Sequence, residues 1–133
     1  YIQLGQQDKA LPIINQIRTR AANSTNRLKK LDGSFPSNYN LKNYPATNWT
    51  AAYALKALQW ERRLEFATEG ERFFDLVRWG IAEKVLNDYL NIEKVRRTFL
   101  STAKFTAGRD EYLPIPQSEI TFTNGLYKQN PGY

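Results

Sequence analysis

The sequence contains no cysteine, no histidine and no methionine. Without cysteine there can be no disulfide, no thiolate metal site and no cysteine nucleophile within these residues. The absence of histidine removes the commonest general base and the commonest metal ligand. No run of about 18 apolar residues occurs, so nothing here is expected to span a bilayer as a helix. The lack of methionine, with Tyr1 at the start, reads as a processed product or a fragment whose N-terminal part is missing. A secretory signal or lipidated cysteine would lie in such a part.

What is present suits a folded chain. The 133 residues are 41% hydrophobic and 14% aromatic, enough for a packed core. The net charge of +6 is unevenly spread. Residues 1–45 carry seven Lys/Arg against two Asp/Glu, residues 46–90 six against seven, and residues 91–133 six against four. The basic excess is concentrated between Arg18 and Lys30, while the middle of the chain is dense in balanced charge.

Periodicity predicts a mostly α fold. Ala10, Ile13, Ile14, Ile17 and Ala21 lay an apolar stripe along a helix from about residue 8 to 22, with Asp8 as its N-cap. Asn, Ser, Gly and Pro then crowd residues 23–48 and predict a long irregular loop containing Phe35, Tyr39 and Tyr44. A second helix is expected from Thr47 or Asn48 to Thr68, with Leu55, Leu58, Arg62 and Phe66 on one face. Gly70 is read as its stop signal. A third is expected over about 71–89 on the stripe Phe74, Val77, Ile81 and Val85, so that residues 48–89 form a helical hairpin. Residues 91–107 fit either a short helix or an extension. From Gly108 onward Pro114, Pro116, Asn124-Gly125 and Asn130-Pro131-Gly132 argue against helix. The apolar content there predicts an irregular strap packed on the helices.

At this point a family resemblance emerges. The stretch Trp60-Glu61-Arg62-Arg63-Leu64-Glu65-Phe66-Ala67-Thr68-Glu69-Gly70-Glu71-Arg72-Phe73-Phe74-Asp75-Leu76-Val77-Arg78-Trp79-Gly80 resembles the signature helix pair of SusD/RagB proteins. Leu113-Pro114-Ile115-Pro116-Gln117-Ser118-Glu119-Ile120 and Gln129-Asn130-Pro131-Gly132-Tyr133 are similar to the family's later motifs, and Asn15 to Ala22 to its preceding helix. The loop at 23–48 is longer than the family pattern. The resemblance implies the C-terminal segment of a protein built on tetratricopeptide-like helix pairs. It also implies a lipid-anchored place on the outward face of the outer membrane, with the anchor outside this segment. The function implied is non-catalytic capture of an oligosaccharide or peptide for a SusC-like TonB-dependent transporter. No cofactor is implied. The family's sugar-binding residues lie largely upstream, so none is carried over.

The residues themselves permit other readings. Glu65 and Glu69 share a helix face as paired carboxylates would in acid–base catalysis. Yet Arg62 precedes Glu65 by three positions, and Arg72 and Arg78 flank Asp75 at three, which favours a structural ion-pair network of Arg62, Glu65, Arg72, Asp75 and Arg78. The loop rings Tyr39, Tyr44 and Trp49 stand beside Asn38, Asn40 and Asn43, a chemistry suited to stacking on sugar faces and bonding hydroxyls; the alternative is that they staple the loop to the body. The basic stretch comes with no nucleic-acid fold signature, so no nucleic-acid partner is expected. No metal-ligand cluster or phosphate-binding glycine loop is present. A tetratricopeptide-like scaffold for protein partners is the remaining alternative.

Overall fold

The computed structural model describes residues 1–38 and 40–133. Among the described residues the regular structure is helical and no strand occurs, as the periodicity predicts. The chain forms two compact units, Tyr1–Phe66 and Ala67–Tyr133.

The first unit holds a 3-10 turn at Ile2–Leu4, helix α1 at Gln7–Ala22 and helix α2 at Ala51–Glu65. Gln6, not Asp8, is the N-cap of α1, and Asp8 sits in the first turn, where its charge suits the positive end of the helix dipole. Pro12 therefore lies inside the helix. The N-cap of α2 is Thr50, later than Thr47 or Asn48, because its hydroxyl accepts the Tyr53 amide at 3.2 Å. Asn48 instead takes a left-handed turn at φ 62, a conformation asparagine tolerates. Helix α2 stops at Glu65, before the expected Thr68, with Phe66 as C-cap under the Arg62 guanidinium at 4.7 Å.

The buried seam of this unit differs from the expected stripes. Ala10 and Ile14 of α1 meet Trp49, Ala54 and Ala57, whereas Ile13 is exposed and Leu55 and Leu58 are only half-buried. The alanines at 54 and 57, with Glu61 one further turn along, keep the inward face of α2 narrow, so α1 packs close against it. A face chosen by the largest side chains misses this, because close helix approach favours the smallest.

The second unit contains α3 at Arg72–Arg78, α4 at Ala82–Arg96, a 3-10 turn at Thr98–Leu100 and α5 at Gln117–Phe122. The single helix expected over 71–89 is thus broken. Gly80 at φ 67 reverses the chain, its amide reaches Val77 O at 2.9 Å, and the Ile81 amide reaches Leu76 O at 3.0 Å. That bond pair is the Schellman stop, completed by apolar packing of Ile81 and Leu76 in one cluster. The periodic stripe continued across the break because Ile81 is both the motif's apolar contact and a neighbour of the core. Leu76, Ala82 and Phe105 form that core, with Phe73, Val77, Val85 and Leu86 against it.

The strap is also corrected. Residues 117–122 do form a helix, starting immediately after Pro116 with Glu119 in its first turn. Its apolar side chains are less covered than expected: Leu113, Phe122 and Leu126 are all at least 79% exposed. Polar ties, not an apolar seam, hold this segment.

Candidate functional site

The first unit gathers its polar chemistry on one face of α1. Asn15, Arg18 and Thr19 follow the three- and four-residue spacing that aligns side chains on a helix. Each takes hold of the end of the long loop. Asn15 donates from Nδ2 to Tyr44 O at 2.9 Å and accepts the Tyr44 amide on Oδ1 at 2.8 Å. The Arg18 Nε donates to Lys42 O at 2.6 Å. Thr19 exchanges hydrogen bonds with the Asn43 side chain at 3.1 and 3.2 Å. Residues 42–44 are thereby fastened to α1 without a sheet partner.

A charged centre lies behind this line. The Arg18 Nη1 meets Glu61 Oε1 at 2.5 Å, with both side chains largely buried at 14% and 9% exposure. Tyr44 donates its hydroxyl to the same carboxylate oxygen at 2.9 Å, and the Arg18 guanidinium stacks over the Tyr44 ring at 4.5 Å. Burial, then the hydrogen bond to Glu61, pushes the Tyr44 phenol up to about 12. Each group thus compensates another: Glu61 would be costly to bury without the two donors.

Of the three ring candidates, Tyr44 is half-buried, and Trp49 is 6% exposed within the core, donating Nε1 to Gln7 O at 2.9 Å. Tyr44, Trp49 and Tyr53 stand 5.4–5.9 Å apart as one aromatic cluster. Tyr39 lies outside the described residues.

The five charged candidates fall into both units. In the first, Glu65 bonds Arg20 of α1, a partner 45 positions away that helical spacing could not indicate, while Arg62 stacks on Phe66. In the second, Asp75 is buried at 3% exposure and accepts from Arg78 Nη2 at 2.6 Å, the spacing-based pair. Arg72 opens α3. Glu61 belongs to none of the expected pairs, yet it is the most buried acid of the first unit. A sequence signal for it existed in its position two turns past Ala54 and one past Ala57, on the seam.

The second unit repeats the amide device. Asn87 of α4 donates to Phe105 O at 2.8 Å and accepts the Phe105 amide at 2.9 Å, seating that ring in the core. Gln129 does the same to Ile115, at 2.9 and 2.8 Å. Asn130 donates to Leu113 O at 2.6 Å, and the Tyr133 hydroxyl to Tyr112 O at 3.0 Å. The Leu113–Pro116 segment and the Gln129–Tyr133 segment are therefore stitched to each other by side-chain amides.

The described residues include two open depressions. One, of about 680 Å³, is lined by Arg20, Ala21, Asn23, Ser24 and Thr25. The other, of about 380 Å³, is mostly apolar and lies between Leu86, Tyr89 and Leu90 of α4 and residues 103–105. No group of three or more His, Cys, Asp or Glu residues is placed to hold a metal among the described residues, and no described helix is long and apolar enough to cross a membrane.

These features define an all-α protein whose loops are tied to helices by amide clamps and buried charge. The chain belongs to the SusD family, which it matches over residues 1–133. Comparison with curated proteins finds no match. Membership implies nutrient binding at the outer membrane.

Proposed function

We propose that the protein captures an extracellular glycan, or a peptide, at the outer membrane and delivers it unchanged to a SusC-like TonB-dependent transporter. In this reading it is held to the membrane by a lipid anchor outside residues 1–133 and needs no cofactor. The observation that carries the reading is the family match along the full length of the chain. The clamped architecture supports it: a capture protein needs a rigid frame, and side-chain amides fasten irregular backbone at three places in this one.

Within that frame Tyr44 and Trp49 act as fasteners of the long loop, supported by the burial of Trp49 and the hydrogen bonds of both rings. Arg78 with Asp75, and Glu65 with its cation, act as structural pairs in place of acid–base catalysts.

The test is affinity purification of the tagged intact protein from solubilised outer membranes of its native cell. Co-purification of a TonB-dependent transporter, and recovery of bound oligosaccharide or peptide without turnover, is the expected result. A protein found in a soluble fraction with no transporter bound would overturn the reading.

A further inference from the structure

We propose that the depression at the end of α1, together with the basic turn that follows it, binds an anionic saccharide, one bearing uronate or sulfate groups. This inference rests on the uptake reading and adds the ligand class and the place.

Charge carries the argument. From Lys9 to Leu31 the chain holds Lys9, Arg18, Arg20, Arg27, Lys29 and Lys30 and not one Asp or Glu. Arg18 and Arg20 are matched by Glu61 and Glu65. Beyond the helix the chain carries three further cations, Arg27, Lys29 and Lys30. Phe35 gathers two of them: the Arg27 guanidinium lies 4.7 Å from its ring centroid and the Lys29 ammonium 6.0 Å. Arg27 Nε in turn donates to Ser24 O at 3.2 Å, which joins the basic group to the wall of the depression.

The turn is built, not loose. Lys30 N donates to Ser34 O at 2.8 Å, Gly33 N to Lys30 O at 2.9 Å, and the Asp32 carboxylate accepts both the amide and the hydroxyl of Ser34. Those bonds from Ser34 hold the Asp32 pKa below its ordinary value, so its charge serves the turn.

The wall supplies the rest of a sugar site. Asn23, Ser24 and Thr25 offer an amide and two hydroxyls, which pair with sugar hydroxyls. A volume of about 680 Å³ is within the usual range for a small-ligand site. The carbonyl end of α1 opposes an anion, but the Asn23 amide caps Thr19 O at 3.0 Å and the Ser24 amide reaches Ala21 O at 3.4 Å, which blunts that end.

The experiment is calorimetric titration of the intact protein with oligogalacturonate and chondroitin sulfate oligosaccharides, with maltohexaose and xylohexaose as neutral controls, at low and high salt. Binding of an anionic saccharide that weakens as salt rises is expected, with a loss of about tenfold or more in a Lys29→Gln/Lys30→Gln variant, whose changes touch only exposed side chains. Asn23→Ala should weaken binding at every salt concentration. Binding of neutral saccharides alone, or anionic binding indifferent to both variants, overturns the assignment while leaving the uptake reading standing. Equal binding of a single-stranded oligonucleotide overturns it as well, by showing unselective charge attraction. Failure to bind any saccharide overturns it too, and transporter co-purification then decides separately whether the uptake reading survives.

Discussion

The two units solve the same problem with different reach. In the first, charge pairs join residues far apart in the chain: Arg18 to Glu61 across 43 positions and Arg20 to Glu65 across 45. In the second, the pairs of Asp75 and Glu93 are one helical turn long, to Arg78 and to Arg96 and Arg97. The first unit therefore depends on its ion pairs to align α1 with α2, whereas the second uses them to finish helices already formed. Both use a helix-borne asparagine to seat an aromatic residue, Asn15 for Tyr44 and Asn87 for Phe105. The lesson is that an ion pair's worth is set by how far its partners can escape to water.

The comparison can be broken most sharply at Trp49. Trp49→Ala removes the largest ring of the first core and should cost about 3–5 kcal/mol in urea unfolding. Next come the acids. Glu61→Ala leaves Arg18 largely buried without its carboxylate and should cost about 3 kcal/mol. Glu93→Ala releases Arg96 and Arg97, both more than half exposed, so its cost should stay near 1 kcal/mol. Equal losses for the two would erase the distinction drawn between the units.

The clamps test what is shared. Asn15→Ala and Asn87→Ala each leave a backbone donor and acceptor partly buried without partners, and each should cost about 1–3 kcal/mol. A negligible change in either would make that clamp a consequence of the fold and not one of its supports. Gly80→Ala meets no atom within 4 Å, so only the positive φ opposes it, and a loss of about 1–2 kcal/mol is expected. A loss well above that would place the helix break under more constraint than its geometry shows.

Alkaline pH gives the most specific effect. The folded Tyr44 phenol is raised to about 12 from an unfolded value near 10. The folded state thus holds this proton more tightly, and the associated stability is fully present below pH about 10 and lost as pH rises toward 12. Melting temperatures of the protein and of Tyr44→Phe, compared across that window, should converge as pH rises. A constant gap would show that the hydroxyl bond to Glu61 does not govern the titration.

Much of the fold was legible because it is local. Helix α1 and the Asn-rich loop both depend on neighbours within a few positions. The pair Asp75–Arg78 was legible for the same reason. The break at Gly80 was also written locally, but the apolar stripe ran across it, since Ile81 serves both the stop and the core. The six-residue α5 was hidden by the prolines around it, although Pro116 stands at its N-cap, where a missing amide hydrogen costs little.

The candidate site was less legible. Tyr44 and Trp49 were chosen as rings a loop could present, but whether a ring faces ligand or core depends on where the loop lies. Asn15 and Arg18 make that decision from another part of the chain, by binding backbone that carries no sequence signature, and Thr19 adds a bond to the Asn43 side chain. Sequence alone determined the helical class, the family and the distribution of charge, because periodicity, motif order and residue type are properties of the chain itself. Only the tertiary structure decided that Glu61 receives Arg18 and Tyr44, and that alanines line the seam. Such choices are made among residues 17 and 43 positions apart, where burial and desolvation, not spacing, select the partner.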